Sequence, residues 1–304
     1  MRLWSGADLT AVKDKIILVT GANSGIGFYA AKAFADAGAE VILACRNPER
    51  GAGAVTQIGG KARLEQLDLA DFESIHGFAA RIKAQTERLD VLLNNAGVMA
   101  PATRQTTRQG FELQFGVNFL GHFLLTCLLS DLILNTPGAR VIQVSSVAHR
   151  QGKMNWEDLQ SARHYRGWPV YRQSKLAMLI FAQELARRAT RNHWNLLSLA
   201  AHPGIAATEL VANGPGRTSL IAFLQKIAAP LIQQSGEAGA WPLILAATSP
   251  QAQQGAYYGP QGWQECRGLP GHAKIEPQAL DQNAGLMLWE QAVRLTGADI
   301  TPDP

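Results

Sequence analysis

The chain has 304 residues, of which 47% are apolar, and this is enough to build a sizeable hydrophobic core. The formal net charge is +4, but the basic residues are scattered along the chain, so a nucleic-acid partner is not expected. Residues 1–15 lack the long apolar region of a signal peptide, and no uncharged apolar run reaches about 18 residues, so no transmembrane segment is expected.

Three cysteines, Cys45, Cys127 and Cys266, lie far apart in different segments. Their number is odd and no two of them have C-x-x-C spacing, so neither a disulfide framework nor a zinc site is indicated. They fit reduced thiols in a cytosol-like compartment. We therefore predict a cytoplasmic protein without a bound metal.

The first predicted strand runs directly into a glycine-rich turn. Residues 16–19 are apolar and rich in β-branched side chains, residues 21–27 follow as G-x-x-x-G-x-G, and an alanine-rich stretch of helical propensity ends at Gly38. Glycines let the backbone turn tightly and approach a pyrophosphate, and a helix N-terminus offers free N–H groups. This order predicts a phosphate cradle, with an ordinary strand–helix turn as the alternative.

A second buried strand is predicted over residues 40–46, and it ends in Cys45 and Arg46 with no carboxylate before Glu49. In dinucleotide sites an acidic residue here binds the ribose 2′-hydroxyl of NAD, whereas a nearby arginine accommodates the 2′-phosphate of NADP. A guanidinium holds a phosphate through paired hydrogen bonds, and a carboxylate would repel it. We therefore predict NADP(H) as the cofactor, with a plain surface position for Arg46 as the alternative.

The third and fourth strands are predicted over residues 62–69 and 89–93, with a helix between them over residues 71–87. Asp68, at the end of the third strand, could face the adenine. The fourth strand opens into Asn94-Asn95-Ala96-Gly97, where small and amide residues suit close approach to a cofactor, although a simple turn would use the same residues. Strand–helix units that repeat without a polar linker predict one α/β domain over residues 1–304.

These segments resemble the short-chain dehydrogenase/reductase family. The resemblance extends over residues 14–296 and rests first on Thr20-Gly21-Ala22-Asn23-Ser24-Gly25-Ile26-Gly27 and Asn94-Asn95-Ala96-Gly97. Residues 45–51, Cys-Arg-Asn-Pro-Glu-Arg-Gly, are similar to the retinol-dehydrogenase-like and protochlorophyllide-reductase-like branch. The resemblance implies a single doubly wound Rossmann-type domain, with a mostly parallel seven-stranded sheet and helices on both faces.

A long, largely apolar helix is predicted over residues 111–135, with Asn118 inside it. A buried asparagine is costly unless its amide is paired, so Asn118 could simply be a satisfied kink residue. In the family, this asparagine bends the helix and holds a water in a proton relay, and we assign that role to Asn118.

Two serines end the fifth predicted strand, residues 140–146. Adjacent serines at a strand end could merely cap the next element. The family places the substrate-binding serine second, so we choose Ser146 over Ser145. The polar segment 147–165 is predicted to form a loop over the site, with His149 as a pocket-wall or surface residue.

Tyr171 and Lys175 open the next predicted helix, which continues over residues 176–188. Positions i and i+4 lie on one helical face, so the two side chains point the same way. A phenol has an ordinary pKa near 10, and a neighbouring ammonium together with a positive nicotinamide ring would lower that pKa. We predict that Tyr171 is the acid–base residue and that Lys175 assists it and anchors the cofactor.

A sixth strand is predicted over residues 195–201, followed by Pro203, Gly204 and Thr208. The family's P-G-x-x-x-T segment binds the nicotinamide carboxamide, although a proline–glycine turn alone would also fit. The predicted cofactor contacts are Gly21, Asn23, Ser24, Gly25, Ile26, Gly27, Arg46, Asp68, Leu69, Asn94, Ala96, Gly97, Tyr171, Lys175, Pro203, Gly204 and Thr208.

An apolar, amphipathic lid is predicted over about residues 210–236 and indicates a hydrophobic substrate, with a membrane-surface helix as the rival interpretation. The tail, about residues 255–296, holds a strand signal at 256–259 and a closing helix near 278–296, and we expect it to complete the pocket. Helices 111–135 and 170–190 often pair in dimers of this family, so a homodimer is an expectation.

The predicted activity is reversible reduction of an apolar aldehyde, ketone or quinone-like carbonyl by NADPH. Ser146 and Tyr171 would bind the carbonyl oxygen, and Tyr171 would supply its proton. Two alternatives are a non-catalytic NADP(H)-binding sensor or scaffold and a double-bond reductase of the protochlorophyllide-reductase type. The residues do not specify the substrate or the physiological direction.

Overall fold

An eight-stranded sheet forms the centre of the protein, in the order β3-β2-β1-β4-β5-β6-β7-β8. The structure, a computed structural model, describes residues 8–205 and 234–300. The strands are β1 Ile16–Thr20, β2 Glu40–Cys45, β3 Lys61–Gln66, β4 Val91–Asn94, β5 Ala139–Val144, β6 Leu196–Ala201, β7 Tyr257–Pro260 and β8 Pro270–His272.

The first seven strands are parallel, and β8 runs antiparallel to β7. The doubly wound fold is confirmed, but the strand count of seven was wrong. The eighth strand, Pro270–His272, has three residues with no β-branched side chain, so it carries no strand signal in the sequence. Strands β1 to β3 form one side of the sheet, and the chain then crosses over to place β4 on the other side of β1. Open α/β sheets bind ligands at such a switch point, which here lies between β1 and β4.

Helices cover both faces of the sheet. They are α1 Gly25–Asp36, α2 Pro48–Ile58, α3 Phe72–Gln85, α4 Gly121–Leu128, α5 Ser130–Leu134, α6 Gly167–Arg191, α7 Gly236–Thr248, α8 Pro277–Leu280 and α9 Gln282–Thr296. A π-helical turn, Phe115–Leu120, precedes α4, and short 3-10 turns occupy Leu9–Val12, Val147–Gln151 and Trp263–Glu265. The single helix predicted over residues 111–135 is therefore three consecutive pieces.

Each face of the sheet has its own hydrophobic core, because strand side chains alternate between faces. In β1, Leu18 packs towards α3, α4, α6 and α9, whereas Ile17 and Val19 pack towards α1, α2 and α7. All three side chains are fully buried. Burial on both faces explains why the strands are continuous apolar runs rather than alternating ones.

The C-terminal helix α9 covers the outer side of α4 and α6. The ring of Trp289 lies 5.1 Å from that of Phe123 and 5.8 Å from that of Phe181, measured between centroids. The guanidinium of Arg188 lies 4.0 Å over the Trp289 ring. The homodimer stays a prediction, and α9 of the same chain packs against α4 and α6, which belong to the two helices on which that prediction rested.

Within residues 8–205 and 234–300, no helix is long and apolar enough to cross a bilayer. The same ranges contain no cluster of three or more histidine, cysteine or acidic side chains that could hold a metal ion. Cys45, Cys127 and Cys266 are buried free thiols.

Removing the Trp289 ring should destabilise the protein strongly, because the ring is 3% exposed and fills the space between three helices. We expect Trp289→Ala to lower the free energy of unfolding by about 3–5 kcal/mol in urea denaturation. The control is Trp263→Ala, whose ring is 74% exposed and whose loss should change stability by less than about 0.5 kcal/mol. Equal effects of the two substitutions would contradict this packing.

Candidate active site

Three glycines shape the turn between β1 and α1. Gly21 and Gly25 have φ angles of +66° and +59°, which favour glycine. A Cβ atom on Gly27 would lie 2.4 Å from Asn95 Nδ2 and 2.7 Å from the Gly21 carbonyl oxygen. The Ser24 side chain makes no capping hydrogen bond at the start of α1. The turn thus presents an open backbone and a helix N-terminus, which fits the pyrophosphate of a dinucleotide.

The turn after β4 is tied to the end of β1 by Thr20. The Thr20 hydroxyl oxygen accepts from the backbone N–H groups of Asn95 and Ala96, both at 2.9 Å. The Asn95 amide donates in return to the Thr20 carbonyl, at 2.8 Å. A Cβ atom on Gly97 would lie 3.5 Å from Lys175 Nζ, so this turn also faces the predicted catalytic lysine.

The Asn94 side chain points into the core and not towards this turn. Its Nδ2 donates to Thr126 Oγ1 and to Gln143 Oε1, both at 3.1 Å. A cofactor contact at Asn94 would therefore have to come from its backbone. The sequence could not show this, because the partners lie 32 and 49 residues away.

The end of β2 carries a cation and a neutral thiol. Arg46 is exposed, and its guanidinium makes no ion pair with any residue that the structure describes. Burial raises the pKa of the Cys45 thiol to about 11, although the backbone N–H groups of Ala22 and Asn23 hydrogen-bond to it and act in the opposite direction. An anion placed here would meet a positive charge and no carboxylate from this end of β2, because Glu40 lies at the opposite end of the strand.

The remaining predicted cofactor residues lie at neighbouring strand ends. Asp68 is partly buried, and its Oδ1 accepts from the Ala70 N–H at 2.9 Å, while Leu69 is buried. Gly204 has a φ of +65°, so a glycine is favoured at that turn. Thr208 and nearly all of the predicted lid lie outside the described residues.

The structure brings Ser146, and not Ser145, to Tyr171. Ser146 lies beside the Tyr171 phenol, whose pKa its side chain lowers, and the Ser146 hydroxyl oxygen accepts from the Ala148 N–H at 3.2 Å. The Ser145 hydroxyl turns the other way and donates to the Lys175 carbonyl at 2.7 Å. Two hydroxyl groups therefore meet at the end of β5, where they could both bind one substrate oxygen.

Lys175 lies one helical turn after Tyr171. Its Nζ is 5.9 Å from the centre of the Tyr171 ring and donates to the Val144 carbonyl at 2.9 Å. Burial lowers the pKa of Lys175 to about 8. Burial also raises the pKa of Tyr171 to about 12, against the lowering that we expected, because loss of solvent outweighs the hydrogen bond from Ser146.

Asn118 lies in the π-helical turn and is fully buried. Its Oδ1 accepts from the Val98 N–H at 2.8 Å, and its Nδ2 donates to the Val98 carbonyl at 3.0 Å and to Ser174 Oγ at 2.9 Å. The amide therefore joins the turn after β4 to helix α6. Its role in a proton relay stays a prediction.

The sequence analysis expected His149 to be a pocket-wall or surface residue, and the structure buries it, with Nδ1 2.6 Å from the Ser146 carbonyl. The polar residues next to it were missed. Tyr257 packs its ring 5.5 Å from that of His149 and 5.1 Å from that of His202, and His202 Nε2 is 2.9 Å from Glu265 Oε2. The contacts of Tyr257 join segments that are distant in sequence, so no local spacing could have revealed them. His122 was also missed, although its i+4 spacing from Asn118 is a usable signal.

Comparisons with known proteins identify the family to which the chain belongs. The family model for short chain dehydrogenases matches residues 15–215. Human (Homo sapiens) retinol dehydrogenase 13 is 38% identical over 95% of this chain and 86% of its own length, and human retinol dehydrogenase 12 is 36% identical over 93% and 86%. The crystal structure of an uncharacterized protein from Mycobacterium paratuberculosis has a TM-score of 0.81 at 34% identity, covering 99% of this chain and all of that one.

A short chain dehydrogenase from Shigella flexneri 2A str. 301, solved as a complex with NADP, has a TM-score of 0.64 at 26% identity. The similarity covers 82% of this chain and 98% of that chain.

The buried histidines should make the protein sensitive to acid. Burial lowers the pKa of His149 to about 4, so between pH 6.5 and 4 the unfolded chain binds the proton more readily and stability falls as the pH falls. We expect His149→Asn to reduce this slope by up to about 1.4 kcal/mol per pH unit, measured by urea denaturation from pH 4.5 to 7. The exposed His193, changed to Asn, is the control and should leave the slope unaltered. An unchanged slope in His149→Asn would show that this ring is protonated in the folded protein.

Proposed function

The chain belongs to the short-chain dehydrogenase family, and from that membership we propose that it uses NADP(H) to interconvert the carbonyl and the alcohol of an apolar substrate. The observation that carries the proposal is the placement of Ser146 beside the Tyr171 phenol, where two hydroxyl groups lie together. Lys175 lies beside the Tyr171 ring and faces the turn after β4 at Gly97. A non-catalytic cofactor sensor would have no physical need for the pair.

The cofactor proposal is supported by the shape and charge of the cradle. The turn at Gly21 and Gly27 leaves no room for a side chain, so a pyrophosphate could approach the backbone and the N-terminus of α1. Arg46 would hold the 2′-phosphate, and Lys175 would hold the nicotinamide ribose. Once bound, the nicotinamide would supply or accept the hydride. Relatives solved with NADP and with NADPH support the choice of the phosphorylated cofactor.

In the reducing direction, Ser146 and Tyr171 would both donate to the substrate carbonyl oxygen and stabilise the negative charge that develops there. With a pKa of about 12, the Tyr171 phenol is protonated at neutral pH and can give its proton to that oxygen. Lys175, with a pKa of about 8, is mostly charged at neutral pH and favours the phenolate that remains. We propose that the phenol is then reprotonated along the Lys175–Asn118 side of the site.

An apolar substrate is supported by two observations. The relatives at 34–42% identity are named retinol dehydrogenases, and retinol is an apolar alcohol. Trp168, in the first turn of α6, is 45% exposed and sets its ring edge-on at 5.8 Å from that of Tyr171. An exposed indole beside the predicted acid–base residue would form an apolar wall for the substrate.

The compartment and the assembly of the protein are also proposals. We propose a cytoplasmic location, supported by three thiols that are all free. A homodimer would need a surface other than the side of α4 and α6 that α9 covers.

Changing Tyr171 to Phe removes the proton donor and leaves the ring in place. We expect kcat to fall by about 10²–10⁴-fold, as is typical for loss of a general acid. The measurement is NADPH consumption across a panel of apolar aldehydes, ketones and quinones, alongside the dissociation constant for NADPH, which should change by less than about threefold. Tyr165→Phe is the control, because the Tyr165 hydroxyl donates to the Pro101 carbonyl at 3.0 Å and accepts from Gln114 Nε2 at 3.2 Å. Full turnover by Tyr171→Phe would contradict the mechanism.

Changing Arg46 to Ala removes the proposed phosphate contact. A hydrogen bond to a charged group contributes roughly 1.5–3 kcal/mol, so KM for NADPH should rise by about 10–100-fold. KM for NADH, which lacks the phosphate, should stay within about threefold. The control is Arg294→Ala on the exposed side of α9, which removes the same charge and should change KM for neither NADPH nor NADH. Equal losses for the two cofactors would reject Arg46 as the phosphate contact.

A further inference from the structure

His122 uses both ring nitrogens inside the protein core. It is fully buried in α4, its Nδ1 lies 2.8 Å from the Asn118 carbonyl oxygen and its Nε2 lies 2.9 Å from the Thr20 hydroxyl oxygen. A carbonyl oxygen can only accept, so Nδ1 must carry the proton. Burial lowers the pKa of His122 to about 3, so the ring is neutral and its Nε2 is an acceptor.

This tautomer decides how the Thr20 hydroxyl is used. The Thr20 hydroxyl has two acceptors within reach, His122 Nε2 at 2.9 Å and the Leu93 carbonyl oxygen at 3.4 Å, and the nearer one is His122. With its hydrogen directed at Nε2, both oxygen lone pairs of the hydroxyl remain for the N–H groups of Asn95 and Ala96. The result is a chain of hydrogen bonds with one direction, from the backbone after β4, through Thr20 and His122, to the Asn118 carbonyl.

These hydrogen bonds hold the turn after β4, which packs against the glycine turn of the proposed cofactor site. A Cβ atom on Gly21 would lie 2.9 Å from the Ala96 Cα, and one on Gly97 would lie 3.5 Å from Lys175 Nζ. Protein interiors are packed closely, so a shift of this turn by a few tenths of an ångström would reach both the glycine turn and the lysine.

We propose that His122 is a positioning residue that sets the geometry of the NADP(H) site by accepting the Thr20 hydroxyl proton. This inference rests on the proposed function. His122 itself touches neither the cradle glycines nor the hydroxyl pair at Ser146 and acts through Thr20. A merely structural histidine would stabilise the fold without changing affinity for the cofactor.

Two polar substitutions of His122 distinguish the roles of its two ring nitrogens. His122→Asn keeps a donor at the distance of Nδ1 but cannot reach Thr20, whereas His122→Gln places an acceptor at the distance of Nε2. We expect the dissociation constant for NADPH, measured by calorimetry, to rise at least about tenfold in His122→Asn and to stay within about threefold in His122→Gln. The reverse order would overturn the proposal, and so would an unchanged constant in both variants.

A double-mutant cycle tests the route through Thr20. Thr20→Val removes the hydroxyl and keeps the shape of the side chain. The double variant with Thr20→Val and His122→Asn should bind NADPH no more weakly than the weaker-binding single variant. Effects that multiply would show that His122 acts by another route and would overturn the proposal.

The control is Thr248→Val in α7. The Thr248 hydroxyl is also buried and donates to the carbonyl one turn earlier in its own helix, that of Ile244, at 2.8 Å. This variant should lower the free energy of unfolding and leave NADPH affinity unchanged. Failure of the unaltered protein to bind NADPH would refute the proposed cofactor and this inference together, whereas normal binding with an unaffected His122→Asn would refute the inference alone.

Discussion

The site depends on one set of hydrogen bonds at the switch point of the sheet, where β1 and β4 separate. The Thr20 hydroxyl accepts from the backbone N–H groups of Asn95 and Ala96, and so holds two strand ends at a fixed spacing. The glycine turn starts from one of these ends, and the turn that faces Lys175 starts from the other. A dinucleotide placed at this edge would contact both turns. Because the hydrogen bonds already fix the geometry of the site, binding would cost little additional conformational entropy.

Burial and nearby positive charge act in opposite directions on the pKa of Tyr171. Loss of solvent raises the pKa of Tyr171 to about 12 and lowers that of Lys175 to about 8, because each charged form is disfavoured inside the protein. The chain alone therefore holds a protonated phenol, which suits reduction of a carbonyl. Oxidation of an alcohol needs the phenolate, and the positive charges of Lys175 and of an oxidised nicotinamide would both favour it.

Local patterns were enough to predict the strands of the parallel sheet, the glycine turn and the i, i+4 relation of Tyr171 to Lys175. They were not enough for β8, whose three residues have no strand propensity and whose pairing with β7 is non-local. They also did not show that the Asn94 amide binds partners from other elements inside the core, which leaves only its backbone for the predicted cofactor contact. Side-chain direction at a strand end depends on what packs behind the strand, and a sequence does not show that.

The most direct test of the account is to follow the hydride. The protein would be incubated with NADPH deuterated at C4 of the nicotinamide and with apolar aldehydes and ketones, and the products would be analysed by mass spectrometry and NMR. The account predicts deuterium on the carbon that bears the new hydroxyl group, and formation of this labelled product about 10²–10⁴-fold more slowly by Tyr171→Phe. Deuterium on a carbon of a reduced double bond, or tight NADPH binding without transfer to any substrate, would contradict it.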